Sequence, residues 1–329
     1  MNTFGKYIRL TTFGESHGPA MGGILDGMPS RVHIDLAKVQ EELDRRAPGR
    51  SQFVSQRKEP DRLEVLSGIT ADGLTLGTPI GFIVRNSDHR PEDYVQYEGK
   101  FRPNHADYTY YAKYGIHDFR GGGRASARET VSWVAAGAIC RQWIDRFGIS
   151  VSARLVETGN IEDAASRGDS VGGVVEGHIE GLPTGIGEPV FDKLSARLAS
   201  AMMTINAAKA FEYGDGFMAA SMRGSECQDI PYIEVETGNI SFHTNHSGGI
   251  QGGISNGMPV DFRVWFKPTP TIMQTTETLD VNGSRAIIEP CGRHDPCVAV
   301  RAVPVVEAMA VLTVADLLRS QIRISNPNG

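Results

Sequence analysis

Glycine placement constrains this chain more than any other feature. Its 38 glycines fall in short groups, among them Gly22-Gly23, Gly121-Gly122-Gly123, Gly248-Gly249 and Gly252-Gly253. A residue without a Cβ tolerates left-handed backbone and lets another segment or a ligand come close, so such groups demand tight turns and close backbone approaches. One internal comparison sharpens this. Gly22-Gly23-Ile24-Leu25-Asp26-Gly27-Met28-Pro29 agrees with Gly252-Gly253-Ile254-Ser255-Asn256-Gly257-Met258-Pro259 at six of eight places, and the copies follow His17 and His246 by five and six residues. Asp-Gly and Asn-Gly are turn dipeptides, so each copy reads as a strand entering a tight turn, and the two as related halves of one fold.

Helical periodicity is clearest from Ala127 to Phe147, where Val131, Val134, Ala135, Ala138, Ile139 and Trp143 make one apolar stripe and Gly148 supplies the stop. Ser126-Ala127-Arg128-Glu129 reads as a capping box, with Ser126 accepting from an early N–H and Glu129 returning to the cap. Further helices are expected at 36–46, capped by Asp35, at 192–204 and at 305–321. Apolar runs of strand length lie at 23–25, 80–84, 171–179, 217–222 and 260–266. This mixture predicts an α+β fold of layered-sandwich type. No linker-like stretch divides residues 1–329, which are expected to form one domain.

With 40% hydrophobic and 22% charged residues the chain can bury a sizeable core, and its longest apolar runs fall short of the roughly 20 residues a membrane span needs. No charged-then-apolar leader precedes Phe4, and Cys140, Cys227, Cys291 and Cys297 lack CxxC spacing, so a cytoplasmic enzyme with reduced thiols is expected. The net charge of −6 argues against nucleic acid as a main partner. Yet arginines cluster at 45, 46 and 50, at 120, 124 and 128, and at 293 and 301, which suits a small polyanionic ligand.

Three segments have the residue types for chemistry. Phe13-Gly14-Glu15-Ser16-His17-Gly18 holds a histidine between glycines just before a strand, where it can supply a proton near neutral pH, or simply bond within its own turn. Phe101-Arg102-Pro103-Asn104-His105-Ala106-Asp107-Tyr108 is followed by Gly121-Gly122-Gly123-Arg124-Ala125-Ser126, a glycine loop opening a helix, whose free N–H groups and positive dipole end suit an anion. It is neither a P-loop nor a dinucleotide fingerprint. Gly292-Arg293-His294-Asp295-Pro296-Cys297, with Arg301 beyond, is too polar for a core and suits a cleft or a solvated loop; its Cys and His spacing matches no usual zinc site, and no metal is expected.

Taken in order, Gly14-Glu15-Ser16-His17-Gly18, Gly123-Arg124-Ala125-Ser126-Ala127-Arg128-Glu129-Thr130 and Arg293-His294-Asp295-Pro296-Cys297 resemble the chorismate synthase family. Arg102 to Asp107, Gly187 to Asp192, Ile205 to Lys209 and Lys267 to Thr269 extend the resemblance over essentially the whole chain. It implies a β-α-β sandwich core, a homotetramer, and anti-1,4-elimination of phosphate from 5-enolpyruvylshikimate-3-phosphate to give chorismate, the last common step towards aromatic amino acids, with reduced FMN and no net redox. By the resemblance, His17 protonates the leaving phosphate, His105 governs flavin protonation and Asp295 assists proton removal. Arg46, Arg102, Arg128 and Arg293 bind substrate. Flavin contacts fall at Arg124, Ala125, Ser126, Asn206, Ala207, Gly252, Lys267, Pro268, Thr269, Pro270, Thr271 and Arg293. Two departures matter: Ala125 stands where the family usually has serine, removing a hydroxyl, and Gln52 stands where many relatives carry an arginine, which bears on NADPH as the indirect reductant. A bifunctional enzyme that reduces its own flavin with NADPH, and an inactive flavin-binding scaffold, are the alternatives.

Overall fold

The computed structural model describes residues 2–47, 60–87, 91–289 and 295–325. Arg50, Gln52, Cys291, Arg293 and His294 lie outside the described residues. One antiparallel sheet contains β1 (Thr3–Phe4), β2 (Arg9–Gly14), β3 (Ala20–Asp26), β4 (Leu63–Val65) and β5 (Ile80–Arg85) in the order β1-β2-β3-β5-β4. The other contains β6 (Ser150–Thr158), β7 (Gly173–Glu180), β8 (Ala208–Tyr213) and, beyond two ribbons made by β9 (Pro231–Ile233) with β10 (Ile240–Phe242) and by β11 (Ile250–Gln251) with β12 (Ile254–Ser255), the strand β13 (Val260–Phe266). Its order is β6-β7-β13-β8, and a last ribbon pairs β14 (Thr276–Leu279) with β15 (Arg285–Ile288).

Helices fill the space between the sheets, giving the expected α+β sandwich. α1 (Leu36–Arg46) starts where Asp35 accepts from Ala37 N–H at 2.9 Å, and α2 (Asp107–Tyr114) ends on left-handed Gly115. α3 (Thr130–Ile144) lies against the first sheet, and α5 (Leu194–Thr204) and α6 (Ala299–Ser325) against the second; α4 (Ile161–Ser166) is a short surface helix. α3 is buried on nearly every side, and each fully buried Val or Ile there contributes about 1.5–3 kcal/mol. Its expected apolar stripe is thus part of a wider buried surface. Where α3 meets α6, a Cβ on Gly137 would lie 2.7 Å from Ala308 Cβ, so the two backbones run closer than larger residues allow. No helix among the described residues is long and apolar enough to cross a membrane.

The halves share one topology. β2-β3-α1-β4-β5-α3 is repeated as β6-β7-α5-β8-β13-α6, with matching strand order in the two sheets. The duplication expected from sequence is therefore present, but the residues it pairs differ from those that drew attention. Gly27, after β3, corresponds to Gly181, after β7; both have positive φ (92° and 72°), and a Cβ on either would strike a carbonyl, Tyr7 O at 1.8 Å or Gly148 O at 2.1 Å. Gly257 corresponds instead to Gly77, each at positive φ ahead of the strand that enters the middle of its sheet. Gly22-Gly23 lie within β3 whereas Gly252-Gly253 form the turn between β11 and β12.

Three other expectations are corrected. Residues 216–221 form a 3-10 turn rather than a strand, because Gly214 and Gly216, both at positive φ, turn the chain immediately after β8. α6 starts six residues before 305 and carries Pro304 inside it, where the ring forgoes one backbone bond. Ser126 does cap, accepting from Arg128 N–H at 3.2 Å, but Glu129 turns away and accepts from Arg124 at 2.7 Å, so only half of the capping box forms. The Gly137 contact makes a direct prediction: Gly137→Val should destabilise the protein by about 1–3 kcal/mol or more through overpacking, read as a lower urea midpoint with an unchanged slope.

Candidate active site

The two halves of the fold bring the chemistry together at one end of the helix layer. α3 and α6 run in the same direction there: Ala127 and Thr130 line a cavity with Val298, Arg301, Ala302 and Val305, while further along Gly137 meets Ala308. Two positive helix ends thus converge, a favourable setting for anions in a chain of net negative charge. The cavity is small, about 30 Å³, and Arg46, Asn206 and Asp295 complete its wall. Beyond Asn206 opens a cleft of about 740 Å³, lined in part by Thr12, Tyr110, Arg124, Ala125 and Glu129.

Each functional side chain is held by a traceable device. β2 and β3 are joined by a turn in which Gly18 N–H donates to Glu15 O at 3.0 Å, with His17 at its tip. Asn86 clamps that turn, donating to Glu15 O and Gly18 O at 3.1 and 2.8 Å, and accepts from Arg128 Nε at 2.9 Å. His17 Nδ1 lies 3.1 Å from the Ser16 hydroxyl, and its ring meets Tyr94 edge-on at 4.5 Å. A Cβ on Gly121 would sit 2.2 Å from His17 Nδ1, so the glycine loop must be glycine where it passes this histidine.

The same Gly121 accepts from Arg102 Nη2 at 2.8 Å. Arg102 forks onto Asp107 through Nε and Nη2 at 2.8 and 2.7 Å, and His105 Nδ1 and His117 Nε2 approach Asp107 Oδ1 at 2.8 and 3.1 Å. Burial would raise the Asp107 carboxyl, but the bonds from Arg102 and His105 outweigh it and hold it well below the usual carboxylate range. Burial pushes His105 below its ordinary value, against the pull of Asp107, so the fold favours the neutral ring. A second buried carboxylate, Asp61, ties Arg46 Nη2 at 3.0 Å and Arg128 Nη1. Arg46 is 2% exposed and also reaches Thr130 at 3.1 Å.

The remaining positions close the circuit. Lys267 donates to Asn104 O at 2.9 Å, Thr269 to Asp295 O at 3.0 Å, and Arg301 to Asp295 Oδ2 at 2.9 Å and to Arg46 O at 3.3 Å. Asn206 donates to Ala125 O at 2.8 Å while its buried Oδ1 has no partner among the described residues. Asn206 lines both the small cavity and the cleft, and a buried acceptor left without a protein partner there fits a bound group with an N–H to offer, as a flavin ring has. Asp61, Asn104 and Ala207 are three of the four non-glycine residues with positive φ among those described, so backbone strain gathers here. Gly252 lies apart: its neighbour Gly253 packs on Lys193 and Glu188 at the start of α5, about 16 Å along that helix from Asn206. Sequence reasoning missed Asp61, Asn86 and His117 as site members. His17, His105, Asp107 and Asp295 stood within noticed motifs, whereas Asn86 and Asp61 lie in segments without a pattern.

The sequence profile of the chorismate synthase family matches residues 8–167 and 158–318. A chorismate synthase from Parabacteroides distasonis is 46% identical over 355 residues, covering 98% of each chain. The chain belongs to the chorismate synthase family. A Porphyromonas gingivalis chorismate synthase is 48% identical over 351 residues, covering 96% of this chain and 95% of that protein. A crystal structure of chorismate synthase superposes with a TM-score of 0.77 at 29% identity, covering 97% of this chain and 93% of that one. The chain therefore shares the family's fold, and like other chorismate synthases it is an enzyme that makes chorismate.

The charged cluster also sets a pH profile for stability. His105 is favoured neutral by the fold, so its contribution is complete above about pH 6.5 and shrinks as pH falls towards its lowered folded value. Asp107, with its lowered value, contributes fully above about pH 4 and loses that contribution below it. Both act in the same direction. The urea midpoint should therefore fall as pH drops below about 6.5 and again below about pH 4, and His105→Gln should flatten the upper step.

Proposed function

We propose that this enzyme is a carbon-oxygen lyase acting on 5-enolpyruvylshikimate-3-phosphate, releasing phosphate and a ring hydrogen in an anti-1,4-elimination that requires reduced FMN. The observation that carries the reading is the circuit of His17, Arg102, His105 and Asp107 around Gly121, joined through Asn86 to Arg128 and Asp61. The substrate's phosphate and two carboxylates need positive charge, and Arg128 with Arg46 carries one more charge than Asp61 neutralises. Two helix N-termini add to it. Arg102, its own charge matched by Asp107, contributes directed N–H groups; Arg293 is a further substrate arginine by family resemblance.

His17 stands at the tip of a clamped turn and is assigned the proton for the departing phosphate oxygen. Asp295, fixed by Arg301, is assigned to assist proton removal at flavin N5. Arg124, Ala125, Ser126, Asn206, Ala207, the segment 267–271 and Arg293 are the residues assigned to hold the flavin, with Ala125 contributing its backbone where relatives use a hydroxyl. When bound, reduced flavin lends electron density as phosphate departs and recovers it as hydrogen is lost. His105 Nε2 governs the protonation of that site, and the glycine loop excludes water.

The single-domain chain is proposed to work as a cytoplasmic homotetramer. Phe217, Val235 and Ile233 are 84, 96 and 71% exposed, and a surface hollow of about 1220 Å³ beside Phe217 is lined largely by apolar side chains, which suits burial between subunits. Nucleic acid and membranes play no part. NADPH enters as an indirect reductant of the flavin. Anaerobic assay with chemically reduced FMN should yield chorismate and phosphate, whereas oxidised FMN with NADPH alone should yield none; product in the second case would make the enzyme bifunctional. His17→Ala should lower turnover by roughly two orders of magnitude or more while flavin binding persists; unchanged turnover would remove His17 from its role.

A further inference from the structure

We propose that Asp107, steadied by Arg102 and His117, is the positioning residue that fixes His105 as its Nδ1–H tautomer and so presents Nε2 to the site as a proton acceptor. The proposal rests on the reading of His105 as the group that governs flavin protonation. The Asp107 side chain is fully buried and receives Arg102 N–H, Nε and Nη2 at 3.0, 2.8 and 2.7 Å, together with the two histidines. A carboxylate so surrounded is ionised and only accepts.

His105 Nδ1 faces two groups, Asp107 Oδ1 at 2.8 Å and Arg102 Nη2 at 3.2 Å. A guanidinium only donates, so Nδ1 must either donate to the carboxylate or accept from the arginine. Accepting would set a nitrogen lone pair against a carboxylate oxygen at 2.8 Å. Donating costs nothing, because Arg102 Nη2 is already used by Asp107 Oδ1 and Gly121 O. Nδ1 therefore carries the proton. His117 meets the same oxygen at 3.1 Å through the other type of ring nitrogen, Nε2, which donates to it. Two histidines thus share one carboxylate through opposite ring nitrogens, and the His117 side chain, at 3% exposure, is held against Asp107. Around His105 the charged and titratable groups are Arg102, Asp107 and His117, with Lys267 bonded to the neighbouring Asn104 O.

The test uses the full-length protein labelled with 15N-histidine, recorded near pH 8 with and without reduced FMN, His105 being assigned by its disappearance in His105→Gln. The expected spectrum shows His105 as Nδ1–H and His117 as Nε2–H. In Asp107→Asn, where the amide N–H₂ faces His105, the tautomer should switch to Nε2–H and kcat should fall by about 10- to 100-fold with a smaller change in KM, the scale found for partners that orient a functional histidine. An Nε2–H His105 in the unsubstituted protein overturns the proposal, and that result needs no folded variant at 107. A tautomer unmoved in Asp107→Asn also overturns it. A switched tautomer with full turnover upholds the positioning role and removes His105 from the chemistry.

Discussion

The close seam between α3 and α6 is the constraint on which the rest depends. Gly137 against Ala308 lets two backbones approach so nearly that the helices bind the sheets into one body, with apolar side chains filling the space around them. The same seam sets the site. Because the helices run in one direction, the glycine loop before α3 and the Asp295 segment before α6 emerge side by side, although well over a hundred residues separate them. Small residues at the contact therefore serve both stability and chemistry.

Buried carboxylates do the second part of the work, each gathering donors from distant segments. Glu307 binds Arg45, Arg141 and Ala153 N–H; Asp316 accepts from the backbone of Lys6, Tyr7 and Ile8 and from Arg197. Asp61 and Asp107 act likewise at the site itself. Fully satisfied, such groups avoid the desolvation penalty of a lone buried charge and hold their arginines in a single orientation. Removing one of these carboxylates would leave its buried arginines without their counter-charge, which gives these positions more structural weight than their number suggests.

Much of the architecture was legible because its signals are local. The Asp35 cap, the Ser126 cap, the Gly148 stop and the alternation of Val260, Phe262, Val264 and Phe266 each depend on near neighbours, and each element forms as expected. Strands such as β6 and β8 were not read, because one face of their sheet is open to solvent and lined with the ion pairs of Arg154, Glu176, Arg263 and Glu212, so apolar residues are too sparse to show a pattern. The 217–222 run misled for the opposite reason: it is apolar yet exposed, and the positive-φ glycines before it override its composition.

By itself the sequence determined the family, the Asp35 and Ser126 caps, the principal core strands and the residue types of the site, since motifs and caps are written over a few adjacent positions. Tertiary structure alone decided which glycines are equivalent in the duplicated halves, because Gly27 and Gly181 are alike through the distant carbonyls they pass and not through their flanking residues. It alone decided that Asp61 joins Arg46 to Arg128, that Asn86 clamps the His17 turn, and that His117 shares a carboxylate with His105. Those contacts link residues from different loops and helices, and no local pattern encodes a distance that only the packing of α3 on α6 and of both on their sheets can set.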